Sequence, residues 1–264
     1  MNLWVVSGCS NGLGRCWTDS IITTRNEMVI GITRSEEAAD EMCNRYSNLF
    51  VPCIADVKDE AVLHEKLSQI TQMTGNPNRI ITAAGFAQFG TLEDLSNELL
   101  REQFMVNVEG SLNVIRPLLP LMRKTNSSRI LLVSSMSGVA CWPLLGAYQI
   151  SKYAIEAVSD TLRKELQGSN IQVGCIEPGP HKTGWATKYA RRLPISDAYD
   201  SKDLTARASC GYTIEDSSAS LPYFWKMFDL PIMPRRLATS RSFVDFAIKE
   251  AKEKIDDWSV IYDN

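Results

Sequence analysis

Histidine is nearly missing from this chain: His64 and His181 are the whole supply, too few for a multi-histidine metal centre. The seven cysteines (Cys9, Cys16, Cys43, Cys53, Cys141, Cys175 and Cys210) are scattered, odd in number and free of any Cys-x-x-Cys pair. That pattern argues against a disulfide frame or a zinc site, and we expect no bound metal and the reduced thiols of a cytoplasmic setting. Basic blocks are absent and the net charge is -3, so the dense phosphate neutralisation that drives nucleic-acid binding has no source. Apolar runs are short. Nothing approaches the ~20 residues that span a bilayer, and Leu3–Val6 lacks the basic segment and length of a secretory leader. We therefore expect a soluble protein with neither a nucleic-acid nor a membrane partner.

What is present is the balance of an ordinary globular protein, 44% apolar and 22% charged, over 264 residues. That length suits a single α/β domain with one large core. Short β-branched runs alternate with longer stretches of helical period, which predicts a parallel sheet with crossover helices. The strands expected are Leu3–Val6, Met28–Thr33, Leu49–Ala55, Arg79–Ala83, Arg129–Ser134 and Ile171–Ile176, with helices near 13–25, 36–46, 59–73, 97–124 and 147–167. Near-continuous apolar strands such as Ile130–Val133 suit a Rossmann-like doubly wound sheet of six or seven strands, covered by helices on both faces. Asn76-Pro77 and Gly168-Ser-Asn170 punctuate helix ends.

Within that single domain the reading assigns residues 1–184 to a cofactor and catalytic core and 185–235 to a substrate lid region. Residues 236–264 then hold a last helix, near 239–254, and a possible closing strand at Trp258–Tyr262. The aromatic run Leu221-Pro-Tyr-Phe-Trp-Lys-Met-Phe228 either lines a pocket or packs on the core.

Three motifs carry chemistry. In Ser7-Gly8-Cys9-Ser10-Asn11-Gly12-Leu13-Gly14, the glycines permit a tight turn and close approach of a pyrophosphate to the following helix N-terminus. Tyr148 and Lys152 lie four apart, on one helical face, so that a cation can favour the phenolate. Ser135, thirteen residues before Tyr148 and just past a strand, is placed to donate to a carbonyl oxygen; Ser134 and Ser137 compete for that role or serve as caps. At the end of the second strand, Thr33-Arg34-Ser35 has no acid to grip a ribose 2′-hydroxyl, whereas Arg34 offers a fork for a 2′-phosphate. NADP(H) is therefore favoured over NAD(H).

Together these residues resemble the short-chain dehydrogenase/reductase family over about residues 1–184. The likeness rests on the Ser7–Gly14 turn, Asp56-Val57, Asn107, Ser135 with Tyr148 and Lys152, and Pro178-Gly179 followed by Thr183. The resemblance implies that Tyr148 is the general acid/base, Ser135 orients the substrate oxygen, Lys152 lowers the tyrosine pKa and binds ribose, and Asn107 supports a water chain to the lysine. It implies cofactor contacts from Gly8, Ser10, Asn11, Gly12, Leu13, Gly14, Thr33, Arg34, Asp56, Val57, Ala84, Gly85, Asn107, Tyr148, Lys152, Pro178, Gly179, His181 and Thr183. Departures are Thr82-Ala83-Ala84-Gly85, where the family has Asn-Asn-Ala-Gly, and His181 in place of an aliphatic residue.

The expected activity is an NADP(H)-dependent ketoreductase interconverting a carbonyl and an alcohol on a small, bulky and apolar molecule. Steroid, retinoid, polyketide and fatty-acyl substrates all stay open. The alternatives are a non-catalytic dinucleotide-sensing regulator, an NAD-dependent alcohol dehydrogenase and, ranked last, an epimerase or dehydratase. A homodimer or homotetramer is expected from the family, through the two long helices; Met122 and the stripe Ala154, Ala157, Val158 and Leu162 fit such a face or a core equally.

Overall fold

Because successive side chains of a strand point to opposite faces, the run Leu3–Val6 must be covered on both sides to hide four apolar residues. The computed structural model, which describes residues 2–188, 190–209 and 213–260, does this with two helical layers. The elements run β1 (Leu3–Ser7), α1 (Gly12–Arg25), β2 (Met28–Thr33), α2 (Glu36–Tyr46), β3 (Phe50–Ile54), α3 (Glu60–Thr74), β4 (Arg79–Thr82) and β5 (Gln88–Phe89). They continue with α4 (Asn97–Phe104), α5 (Gly110–Met122), β6 (Ser128–Val133), α6 (Gly146–Glu165), β7 (Ile171–Glu177) and β8 (Arg191–Arg192). The chain closes with α7 (Ser201–Ser209), α8 (Leu221–Asp229), β9 (Arg236–Ala238) and α9 (Arg241–Ser259).

The main sheet has the strand order β3-β2-β1-β4-β6-β7-β9, all parallel, so the Rossmann-like doubly wound expectation holds, with seven strands. Its order reverses between β1 and β4, the switch point where α/β sheets open a crevice at the carboxyl ends of the strands. Leu3, Val5, Ile30, Ile80, Ile130 and Val173 face α3, α5 and α6 through Leu67, Ile115 and Ile155. Trp4, Val6, Val29, Ile81, Leu131 and Ile176 face the other layer, which contains Trp17 and Ile21 of α1, Met42 of α2 and Phe224, Met227 and Phe228 of α8.

Two sequence expectations change here, and two open alternatives are decided. The helix expected over 97–124 is split by a π-turn at Met105–Glu109, which turns Asn107 inward; Ser111 Oγ donates to the Asn107 carbonyl at 2.9 Å. Trp258 does not open a closing strand but lies in α9, 71% exposed, because charged residues from 249 to 257 continue the helix and β9 has already taken the free edge of β7. Ile261 and Tyr262 lie outside the described residues. Met122 is fully buried in the core, and Ala154, Val158 and Leu162 are half-buried against it.

The 221–228 run packs on the core. Phe224 is wholly buried and stacks on Trp17 with centroids 5.1 Å apart, while Trp4 meets Phe228 edge-on at 4.6 Å. The α8 carboxyl end is held by buried Arg129 of β6, which donates to the carbonyls of Met227 (3.0 Å), Leu230 (2.6 Å) and Pro231 (3.2 Å). This helix is a structural layer.

Candidate active site

At the switch point, Gly8 has φ +72°, and a methyl group there would sit 2.7 Å from the Ala84 amide nitrogen and 2.8 Å from the Ala83 carbonyl carbon. A methyl on Gly14 would lie under 2.5 Å from the Gly8 carbonyl oxygen. The turn can therefore press against both β4 and the first turn of α1 only as glycine. Ser7 braces the same junction: its Oγ accepts from the Ala84 amide (3.3 Å) and its carbonyl from Ala83 (3.2 Å). That hydroxyl ties down the strand-four segment that lacks the family's amide side chains, although Thr82 Oγ1 remains buried without a partner.

Asn11 stands at the N-cap of α1 in extended conformation without a side-chain cap bond; instead its amide donates to Ser10 Oγ (3.1 Å). No acid occupies the first turn, so the positive helix end stays available to an anion. Leu13 is half-buried, and Thr183 closes over the cradle, its Cβ 3.3 Å from where a Gly12 methyl would be. A pyrophosphate fits this arrangement: the glycines leave the room and α1 supplies the donors.

Further along the carboxyl edge, Thr33 ends β2 and its Oγ1 accepts from the Ser35 amide (3.1 Å). Arg34 is 72% exposed and stands 3.5 Å from Asp56, which also receives the Lys58 amide (3.0 Å). Val57 is buried and its carbonyl accepts from Asn113 (2.9 Å), fixing the loop after β3.

The remaining residues gather where β6 and β7 end. Asn107 is 1% exposed; its Oδ1 accepts from Phe86 (3.2 Å) and its Nδ2 donates to the Phe86 carbonyl (3.3 Å) and to Ser151 Oγ (2.9 Å). Ser151, passed over in the sequence reading, precedes Lys152 and also donates to the Tyr148 carbonyl (2.7 Å), so it ties Asn107 to α6. Lys152 Nζ donates to the Val133 carbonyl at 2.8 Å and lies 5.5 Å from the Tyr148 ring centre. Gly85 keeps that space open, since a methyl there would meet Asn107 Oδ1 at 3.1 Å and Lys152 Nζ at 3.9 Å.

Tyr148 and Lys152 are both buried, and burial moves their ionisations in opposite directions. Desolvation lowers the Lys152 ammonium to about 8, and the Glu156 carboxylate counters it. The Tyr148 phenol is pushed up by burial, and the Ser135 hydrogen bond is what opposes the rise. The Lys152 Nζ is engaged by the Val133 carbonyl, and the Ser135 hydrogen bond favours the phenolate. Ser135 Oγ also accepts from the Ser137 amide (3.1 Å), while Ser134 Oγ is turned into the interior without a partner.

Beyond β7, the Pro178 carbonyl accepts from Met136 (3.2 Å) and the Gly179 amide donates to Thr239 Oγ1 (3.1 Å). His181 Nδ1 bonds the Gly179 carbonyl at 2.8 Å, its Nε2 is buried and unpartnered, and the Thr183 amide donates to the His181 carbonyl at 2.7 Å. Of the aromatic wall of the site, Trp185 falls in the segment expected to form a substrate lid, while Phe89 escaped the sequence reading. Trp185 lies against Tyr148 with ring centres 4.7 Å apart, and Phe89 meets Trp185 edge-on at 5.9 Å. Phe89 is held there by the small parallel pairing of β5 with β8, which joins residues a hundred positions apart and leaves no local sequence signal. Among the described residues no helix is long and apolar enough to cross a membrane, and no cluster of metal-ligating side chains occurs.

A switch-point anion cradle facing a Ser-Tyr-Lys cluster defines the class: a dinucleotide-binding α/β protein equipped for hydride chemistry. The short chain dehydrogenase family matches residues 2–193, and the chain belongs to it. An NADPH-dependent 3-dehydrocapnine reductase of Ornithobacterium rhinotracheale is 32% identical over 204 residues, 75% of this chain and 72% of that one. The uncharacterized oxidoreductase YbbO of Escherichia coli is 32% identical over 210 residues, 78% and 76% of the two chains. Among solved structures, a short-chain dehydrogenase from Streptomyces avermitilis superposes with a TM-score of 0.88 at 25% identity, covering 99% of this chain and 97% of that one. The protein is an NAD(P)-dependent oxidoreductase acting on CH–OH groups.

Proposed function

We propose that the chain is an NADPH-dependent carbonyl reductase for a small substrate with a broad apolar face. The observation that carries this reading is that Tyr148, Ser135 and Lys152, with Asn107 tied to α6 through Ser151, lie past the carboxyl ends of the same parallel sheet whose first turn carries Gly8, Gly12 and Gly14. The nicotinamide, when bound, supplies the hydride. The protein then has to deliver one proton and stabilise the oxygen that gains charge.

Ser135 Oγ donates its one hydrogen to the substrate oxygen as charge develops there, and Tyr148 gives that oxygen its proton. Lys152 holds the ribose hydroxyls, seated by the Val133 carbonyl, and Asn107 carries the polar connection from the Phe86 backbone to α6. Ser10, Asn11, Gly12, Leu13 and Gly14 hold the pyrophosphate. Asp56 and Val57 border the adenine, Ala84 and Gly85 the adjoining ribose, and Pro178, Gly179, His181 and Thr183 the carboxamide side.

Arg34 reaches solvent at the end of β2, where its guanidinium can leave the 3.5 Å contact with Asp56 for a 2′-phosphate. The NADPH dependence of the Ornithobacterium rhinotracheale relative supports the same choice, and its being a 3-dehydrocapnine reductase supports the reductive direction. Trp185, Phe89 and Leu193, the last packed on Gly90, give the substrate an apolar wall. This wall belongs to the substrate lid region. Two copies pair through the α4–α5 segment and α6, where Met105 in the π-turn (39%) and Ile150 on α6 (43%) are exposed.

The test is turnover of NADPH with a panel of aromatic and long-chain ketones, comparing wild type with Tyr148→Phe. A loss of about a hundredfold or more in kcat/KM is expected for the variant. Turnover retained at the wild-type rate would overturn the assignment.

A further inference from the structure

One turn beyond Lys152 on α6, and behind the site, lies a group of buried charges that the reaction as drawn does not use. Glu156 is 7% exposed, and its two oxygens are committed: Oε1 accepts from the Cys175 thiol at 3.4 Å and Oε2 from Arg236 Nε at 2.8 Å. Glu177, at the end of β7, is 6% exposed; its Oε1 has no hydrogen-bond partner and lies 3.6 Å from Arg236 Nε. Asp160 completes the group on α6, bonded by Arg235 Nε (2.8 Å) and Arg236 Nη2 (2.7 Å).

The charges do not balance by themselves. Three carboxylates (Glu156, Asp160 and Glu177) face two guanidiniums (Arg235 and Arg236), and Lys152 stands one turn before Glu156 on the same helix. The other groups around the lysine carry no charge near neutral pH. Cys175 on β7 is kept a thiol by burial, Tyr148 a phenol, and Asn107, Ser134 and Ser135 are neutral. A buried ammonium with one carbonyl acceptor is costly unless a negative charge stands near it.

We propose that Glu156 is a positioning residue that carries the counter-charge keeping the buried Lys152 ammonium protonated, and that Glu177 assists it by sharing Arg236, which would otherwise cancel the Glu156 charge. This rests on the reading that Lys152 belongs to the reaction site, and it adds a reason for burying two acids against one arginine. Glu177, raised to about 7 by burial and by its neighbour Glu156, is ionised by the pH at which Lys152 titrates, near 8. Arg236 holds the pair together without cancelling it.

The test is a titration of Lys152 itself, by NMR of full-length protein carrying ¹³C at the lysine ε-carbon, with the signal assigned by its absence from Lys152→Met. In Glu156→Gln, whose amide oxygen still accepts from Arg236, the midpoint is expected to fall by about one pH unit, and in Glu177→Gln by a smaller amount in the same direction. The alkaline limb of the reduction rate should move in parallel. If Glu156→Gln fails to fold, Glu177→Gln decides alone. Folded variants that titrate Lys152 at the wild-type midpoint overturn the proposal. The titration reads the lysine whether or not ketones are reduced, so unaltered turnover in Tyr148→Phe would strike the proposed function and leave this result standing.

Discussion

Replacing Phe224 with alanine separates a core layer from a lid. The ring is wholly buried, stacks on Trp17 at 5.1 Å, and meets Trp225 at 4.9 Å and Phe228 at 5.2 Å. Phe→Ala at such a site removes the transfer free energy of the ring and leaves a cavity, about 3–5 kcal/mol in total. The flanking rings are themselves fixed: Trp17 Nε1 donates to Ser220 Oγ (2.9 Å), Trp225 Nε1 to Ser20 Oγ (3.1 Å), and Arg129 grips the end of α8. Collapse into the cavity is thereby resisted, and the upper half of that range applies. For a chain of this length each kcal/mol moves the melting temperature by roughly 2–4 °C, so a drop on the order of 10–20 °C is expected. Urea unfolding gives the free energy, and NADPH titration of the folded variant gives the site. The cofactor should bind within about threefold of wild type, because no ring of α8 touches the cradle. A loss below about 1 kcal/mol, or impaired turnover with unchanged stability, would refute the placement of α8 as a structural layer.

Gly8→Ala forces a side chain into the left-handed region and into the Ala83–Ala84 backbone; NADPH binding should weaken by about a hundredfold or more by fluorescence titration, with Gly75→Ala, at a positive φ but in open space, as the control that keeps it. Arg34→Gln should weaken NADPH by about ten- to a hundredfold and leave NADH within about twofold, since its side chain meets solvent and Asp56 and nothing in the core. Stability should vary with pH through Glu177. Its folded value of about 7 lies above its ordinary value of 4.5, so its favourable contribution is present below about 4.5 and lost as pH rises through about 7. Glu177→Gln should flatten that slope in urea melts between pH 5 and 8, by up to about 3 kcal/mol; a variant with the wild-type slope contradicts the burial argument.

Strand positions were readable because each one hides both faces: Leu3–Val6 and Ile130–Val133 have no polar side to confuse the period, and their boundaries fall within a residue or two of the structure. The Ser7–Gly14 turn was readable for a similar reason, since its glycines are demanded by backbone contacts within one stretch of chain. Less local features were hidden. The π-turn at Asn107 has no composition of its own; it is drawn by bonds to Phe86 and Ser151, 21 and 44 positions away. Trp258 looks like a strand opener by residue type, yet helical charge spacing before it and the occupied edge of β7 decide otherwise. Tyr148 and Lys152 were legible as a pair, but the direction of their ionisation was not, because desolvation is a property of the assembled interior.

The central claim is that this chain binds a reduced nicotinamide cofactor at the β1–β4 switch point and chooses it through Arg34. Titrating the purified protein with NADPH and then NADH, following the enhancement and blue shift of nicotinamide fluorescence, tests it most directly. Saturable binding with NADPH tighter by about tenfold or more, an advantage of about 1.4 kcal/mol, is the predicted result. Binding of neither cofactor would contradict the account, and equal binding of both would remove Arg34 from it.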